Sequence, residues 1–167
     1  MLRNLVIVLG DQLDLESSAF DGFDAAQDAV WMAEVAEEST HVWSSKQRTA
    51  LFLTAMRHFA QALRDAGRPV HYTRMDQSDN RGSLAVELQF AIEKLAPHAC
   101  VMCGAGDFRV NESIQTVAKH TNVPLEVRDD RHFYATVRQF ADHAQARRPL
   151  RSGRQRDRPR RHRRLLP

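Results

Sequence analysis

The sequence predicts an α/β domain, a five-stranded doubly wound parallel sheet, with a disordered basic tail after it. Three observations predict it. Leu5-Val6-Ile7-Val8-Leu9 is an unbroken apolar run that stops at Gly10-Asp11-Gln12, as expected for a strand buried on both faces of a parallel sheet. Further strand-like runs alternate with stretches of helical period, which is the pattern of βαβ units. From Arg147 onward the composition changes completely.

The first strand leads into a polar stretch, Asp14 to Asp28, with Leu15, Phe20 and Phe23 as scattered anchors. It reads as a loop with a short helix. Ala29-Val30-Trp31-Met32-Ala33-Glu34 is the second strand, and Val35 to Trp43 a loop on the sheet's carboxyl edge. From Ser45 to Ala66 the apolar positions Ala50, Leu51, Leu53, Thr54, Met56, Phe59, Ala60 and Leu63 recur at helical spacing. Ser44 or Ser45 is the expected cap and Gly67 the stop. Val70 to Met75 is β-prone, and Asp76 to Gly82 is rich in turn formers. Ser83 to Leu95 reads as a helix closed by Pro97, and Ala99 to Cys103 as a fourth strand ending in Gly104-Ala105-Gly106. Asn111 to Thr121 has helical period, Leu125 to Arg128 is a fifth strand, and Phe133 to Ala146 a last helix.

The formal net charge of +3 hides an asymmetry. Residues 1–146 carry 14 Lys+Arg against 20 Asp+Glu, while residues 147–167 carry 10 Arg and one acid, Asp157. The body (1–146) is therefore acidic and all the basicity sits in the tail. The tail has too little apolar surface to offset its ordering entropy, and such a run binds polyanions in a salt-dependent way. Ten arginines without a lysine also match a GC-rich frame read out of register, the alternative reading of the tail. No run of 18 apolar residues suggests a membrane span, and no basic stretch leads into a signal core. The expected compartment is the cytoplasm. There Cys100 and Cys103 form no disulfide framework. Inside a strand they point to opposite faces, and a lone C-x-x-C without further ligands is read as two buried thiols. The eight histidines, His41 to His162, show no i, i+4 pairing, and none is assigned to a metal. No Gly-x-Gly-x-x-Gly follows the first strand, and Gly104-x-Gly106 is not that fingerprint.

Several segments together resemble a known family. They are Val8-Leu9-Gly10-Asp11-Gln12-Leu13, Glu34-Val35-x-x-Glu38, Lys46-Gln47, and Leu51-Phe52-x-x-Ala55-Met56-Arg57-His58-Phe59-Ala60. Tyr72-Thr73-Arg74-x-Asp76-x-x-Asp79-Asn80, Gly106-Asp107-Phe108-Arg109-Val110 and Asp130-Arg131-x-Phe133 complete the set. In order and spacing, from residue 3 to about residue 150, they resemble the photolyase/cryptochrome-related proteins of the iron–sulfur bacterial type. The resemblance implies a Rossmann-like N-terminal domain that binds an antenna chromophore of the lumazine type. It also implies that FAD, the iron–sulfur cluster and the docking of damaged DNA belong to a helical C-terminal domain beyond the matching stretch, and that this chain is a frameshifted or truncated family member. No catalytic residue is assigned in this chain, because electron transfer from reduced FAD needs that cofactor.

The candidate chromophore-binding residues gather on the carboxyl edge of the first two strands, where open α/β sheets bind ligands. Gly10 lets other groups approach closely. Asp11, with Gln12 beside it, is an acceptor for a ligand amide or ribityl hydroxyl, or else it caps the turn. Glu38 is a second acceptor or a solvated loop carboxylate. Glu34 points at the same edge or pairs with Lys46 or Arg48. Phe52 and Trp43 offer a stacking wall, although plain core packing is the commoner fate of a helical Phe. Lys46 and Gln47 at a helix start reach a phosphate or carbonyl, or simply face solvent. Two other functions stay open. One is a general small-molecule or nucleotide-binding α/β domain, which the missing phosphate loop disfavours. The other is nucleic-acid binding through the Arg tail.

Overall fold

The computed structural model describes residues 2–37 and 44–146. Glu38, Trp43 and the whole tail, 147–167, lie outside the described residues. The strands are β1 Asn4–Ile7, β2 Ala29–Ala33, β3 Val70–Thr73, β4 Ala99–Cys103 and β5 Leu125–Arg128, and the helices are α1 Lys46–Asp65, α2 Leu84–Leu95, α3 Phe108–Thr121 and α4 Val137–Ala146. A single 3₁₀ turn, Ser18–Phe20, interrupts the loop after β1. The strands form one all-parallel sheet in the order β3-β2-β1-β4-β5. Chain direction across the sheet therefore reverses between β1 and β4, which makes that pair the topological switch point.

The apolar run at the start of the chain splits by parity. Leu5, Ile7 and Leu9 face one side with Trp31, Cys100 and Met102, and α2 and α3 cover them with Leu84, Leu88, Ile92, Ile114 and Val117. Val6 and Val8 face the other side with Val30, Met32 and Cys103, under Met56, Phe59, Ala60 and Leu63 of α1 and Phe20 of the 3₁₀ turn. Alternation along each strand puts a core on both faces, which is why β1 reads as continuously hydrophobic. Cys100 and Cys103 fall on opposite faces and are both buried.

Local chemistry sets the helix ends. The Ser45 side chain accepts from the Arg48 N–H at 3.2 Å and starts α1. At its end Gly67 takes φ +75°, with Gly67 N–H donating to Arg64 O and Arg68 N–H to Leu63 O. Helix α3 begins at Phe108, earlier than the periodicity suggests, because Asp107 caps it. The last helix begins later than expected, at Val137. Thr136 and Gln139 bond reciprocally, Thr136 N–H to Gln139 Oε1 and Gln139 N–H to Thr136 Oγ1, and this capping box fixes the start. The sheet domain ends at Tyr134, and α4 belongs to a second unit that begins at Ala135. No helix among the described residues is long and apolar enough to cross a membrane.

An ion pair and a set of hydrogen bonds to backbone carbonyls tie the ends of the sheet. At the amino edge, Arg3 Nε donates to Asp28 Oδ1 at 2.8 Å, and the same carboxylate accepts from the Asn4 and Asp24 N–H groups. Burial pushes the Asp28 carboxyl up, but these bonds outweigh it and hold it below the usual range. The loop after β1 is tied to β5, where Arg128 Nη1 donates to Ser18 O at 2.8 Å and Ser18 Oγ donates to Asp129 O at 2.7 Å.

Candidate functional site

A cleft of about 230 Å³ opens at the carboxyl edge of β1, beside the switch point. Its floor is Val8 and Leu9 from the end of β1 and Ala33 and Val35 around the end of β2. Helix α1 contributes Phe52, Leu53 and Met56 as one wall, and Leu84, Ala105 and Val110 close the other. Gly10, Asp11, Glu34 and Asp107 supply its polar groups. Leu9 and Gln12 are joined by a turn, the Gln12 N–H donating to Leu9 O at 3.0 Å, so Gly10 and Asp11 stand at its tip.

Gly10 is required by close approach. A Cβ at this position would lie 2.5 Å from Phe52 Cζ and 2.9 Å from Met56 Sδ. The absent side chain lets the Phe52 ring rest against the end of β1. Phe52 is 41% exposed, which corrects the expectation that it is plain core. It stands on the cleft wall because α1 turns only Met56, Phe59, Ala60 and Leu63 fully inward. Leu51, also counted on the apolar face, is 72% exposed for the same reason.

The three carboxylates differ in what already occupies them. The Glu34 side chain is fully buried. Arg57 grips it with two bonds, Nε to Oε1 at 2.6 Å and Nη2 to Oε2 at 2.7 Å. Tyr72 Oη donates to Oε1 at 2.6 Å and the Met75 N–H to Oε2 at 3.0 Å. Burial pushes this carboxyl up, yet the bonds from Arg57, Tyr72 and Met75 prevail and hold it below the ordinary glutamate range. Burial, and then the bond to Glu34, push the Tyr72 hydroxyl well up. The ion-pair partner is thus Arg57, not Lys46 or Arg48, because Arg57 lies on the inward-facing side of α1 at the level of the β2 end. Asp107 is occupied too. Its Oδ1 accepts the Arg109 N–H at 2.8 Å, and Arg109 Nη2 donates to Oδ2 at 2.5 Å. The hydrogen bond from the Arg109 side chain lowers its pKa.

Asp11 is exposed, and among the described residues its carboxylate has no hydrogen bond or ion pair. Its Oδ2 lies 3.8 Å from where a Cβ on Gly106 would stand, an ordinary van der Waals separation. Gln12 points away from the cleft and ties the turn to β4, Nε2 donating to Gly104 O at 2.8 Å. Its Oε1 is buried and has no hydrogen-bond partner among the described residues. Lys46 is exposed at the first position of α1 and does not line the cleft. Of the sequence candidates, the fold therefore unites Gly10, Asp11, Glu34 and Phe52, leaves Gln12 and Lys46 outside the lining, and does not describe Glu38.

Sequence reasoning missed Asp107, Ala105 and Val110 as lining residues. Gly106-Asp107-Phe108-Arg109-Val110 carried the family resemblance, and its place just after β4 was the available signal. The sheet order then brings β4 beside β1. Among the described residues, no group of three or more His, Cys, Asp or Glu side chains is arranged to hold a metal ion. Chemically, the cleft offers apolar walls, one aromatic ring and one carboxylate free to accept.

Comparison with known proteins agrees with this architecture. The model of the family described as deoxyribodipyrimidine photo-lyase-related protein matches residues 6–166. A (6-4) photolyase of Agrobacterium fabrum (strain C58 / ATCC 33970) is 36% identical over 149 residues, which is 89% of this chain. The chain spans 29% of that relative's length. A family match over nearly the whole sequence, on an all-parallel sheet with a cleft at its switch point, has one consequence: the chain belongs to the deoxyribodipyrimidine photo-lyase-related protein family.

Proposed function

We propose that the cleft at the β1 edge binds an antenna chromophore of the lumazine type, within a light-dependent, FAD-containing flavoprotein of repair or photoreceptor function. The observation that carries the reading is the pairing of an apolar, Phe52-walled cleft with the Asp11 carboxylate, which has no partner among the described residues. A flat heteroaromatic ring suits the walls, and its N–H or ribityl O–H groups suit Asp11 as acceptor. Glu38 is a second proposed acceptor. The chromophore would supply light absorption, while the residues of this chain bind it, orient it and exclude water. The curated relative is a (6-4) photolyase, which supports the light-dependent context. FAD and an iron–sulfur cluster, in this reading, are held by sequence outside the 29% of the relative that this chain spans.

Absorbance and fluorescence titration of the purified chain with a ribityl lumazine, and separately with FAD, tests the proposal. A spectral shift with the lumazine that is lost in Asp11→Ala and Glu38→Ala is expected. A well-folded chain with no response to the lumazine would sink it. A second reading has its own support, the 10 arginines of residues 147–167, which suit a polyanion. Deleting those residues should abolish binding to nucleic acid at low salt and leave the fold unchanged.

A further inference from the structure

Strand β5 ends the sheet, and among the described residues no strand pairs with its outer edge. Its inner edge is fixed by β4, where the Cys100 N–H donates to Pro124 O at 2.8 Å and the Gly104 N–H to Arg128 O at 2.9 Å. Backbone groups alternate sides along a strand, so Glu126 also turns to β4, while Leu125 and Val127 turn their N–H and C=O groups outward. Open edges are usually blunted by a proline, a lysine or a bulge. This strand reads Leu-Glu-Val-Arg in unbroken register with β4 and has none of these within it. Val127 is 44% exposed. With Leu125 it lies on the α3 face of the sheet, as their partners Met102 and Cys100 do. Between β5 and the end of α3 runs a groove of about 550 Å³ whose lining includes Ala118, Val123, Leu125 and Val127. Glu126 and Arg128 take the opposite face and bond each other, Arg128 Nε to Glu126 Oε1 at 2.8 Å, with the Glu126 side chain still exposed.

We propose that the outer edge of β5 is a self-recognition surface, to which a second copy of this chain adds its own β5, antiparallel about a twofold axis at Val127. Charge complementarity selects both the occupant and the register. With Val127 opposite its counterpart, the two residues exchange both N–H···O bonds. Glu126 of each copy then stands opposite Arg128 of the other, in the closer, non-hydrogen-bonded position. The four side chains alternate in sign, with no charge left over. A twofold at Glu126 or Arg128 would set like charges face to face, and one at Leu125 would set Glu126 opposite Pro124. The other edge strand, β3, has no carboxylate and offers no register of this kind. The axis stands normal to the sheet, so the α3 faces of the two copies are continuous and the second Val127 reaches the mouth of the groove. One short strand and one groove make an interface below the roughly 1,200 Å² of tight complexes, so the dimer is weak and concentration-dependent.

Sedimentation velocity on the full chain, from about 5 to about 500 µM, should show a reversible monomer–dimer equilibrium. Val127→Pro deletes an outward N–H that β4 does not use, a position where an edge strand tolerates proline, and should weaken the dimer at least about tenfold. Glu126→Lys sets a like charge opposite Arg128 of the second copy. It should weaken the dimer several-fold, with the gap to wild type shrinking as salt is added. Far-UV circular dichroism verifies that each variant folds. Hydrogen exchange on the unmodified chain is independent of any variant: the Val127 amide should exchange several-fold more slowly at the top of the concentration range than at the bottom. A chain that stays monomeric throughout, a dimer of unchanged affinity in both variants, or a Val127 amide indifferent to concentration would each overturn the inference.

Discussion

Glu34 accepts from Arg57, Tyr72 and the Met75 backbone, and its side chain is wholly buried. Removing Arg57 leaves that charge buried with fewer donors. Arg57→Ala should cost about 2–3 kcal/mol in urea unfolding at pH 7, less than a fully buried pair because Arg57 is partly exposed. The pH dependence has a defined sign. The folded carboxyl lies below its ordinary value, so its contribution to stability is whole above about pH 4.3 and fades as pH falls through the lowered folded value. In Arg57→Ala, burial dominates and the carboxyl moves up, so protonation relieves the penalty. The stability gap between wild type and variant should therefore narrow between pH 7 and pH 4. A gap that widened on acidification would contradict this account of Glu34.

Among the elements, α1 carries the cleft wall, and its ends and its contact with β1 are separable. Ser45→Ala removes the cap on the Arg48 N–H and should cost about 1 kcal/mol. It should leave ligand binding intact, since Ser45 does not line the cleft. Gly10→Ala acts through the Phe52 ring and Met56, which must give way to the new methyl. The expected loss is about 1–3 kcal/mol, together with weakened lumazine binding as the ring leaves the wall. Urea midpoints beside binding titrations separate the two effects. If Gly10→Ala lowered stability without affecting binding, Phe52 would not be part of the site.

For the whole molecule, the sheet divides the core into two layers. Leu88 of α2 packs on one face and Leu63 of α1 on the other, both fully buried. Each change to Ala should cost about 2–5 kcal/mol, and the double variant should lose the sum within about 0.5 kcal/mol, because the two side chains lie in separate clusters on opposite faces of the sheet. Cys100 and Cys103 report on the same architecture. Burial pushes the Cys100 thiol up to about 12 and the Cys103 thiol upward as well. Ellman's reagent should label neither in the native chain and both at the rate of global unfolding. Rapid labelling of Cys103 alone would mean that its face opens locally.

The sequence by itself determined which segments become strands and helices. Apolar parity along Leu5–Leu9, the turn residues and the capping serine act within a few neighbours, so β4 and β5 fall where composition puts them. The family was legible too, because its motifs are short and ordered along the chain. The tertiary structure decided the rest. That Glu34 pairs with Arg57 rather than Lys46 depends on the rotational setting of α1 over β2, since helical periodicity gives a face but not its neighbour. The seat of the Phe52 ring against the end of β1 follows from the missing Cβ of Gly10, a contact across 42 positions of sequence. Asp107 joins Asp11 only because β4 lies beside β1, and strand order is fixed by how the helices cover both faces at once, a long-range balance that no local pattern encodes.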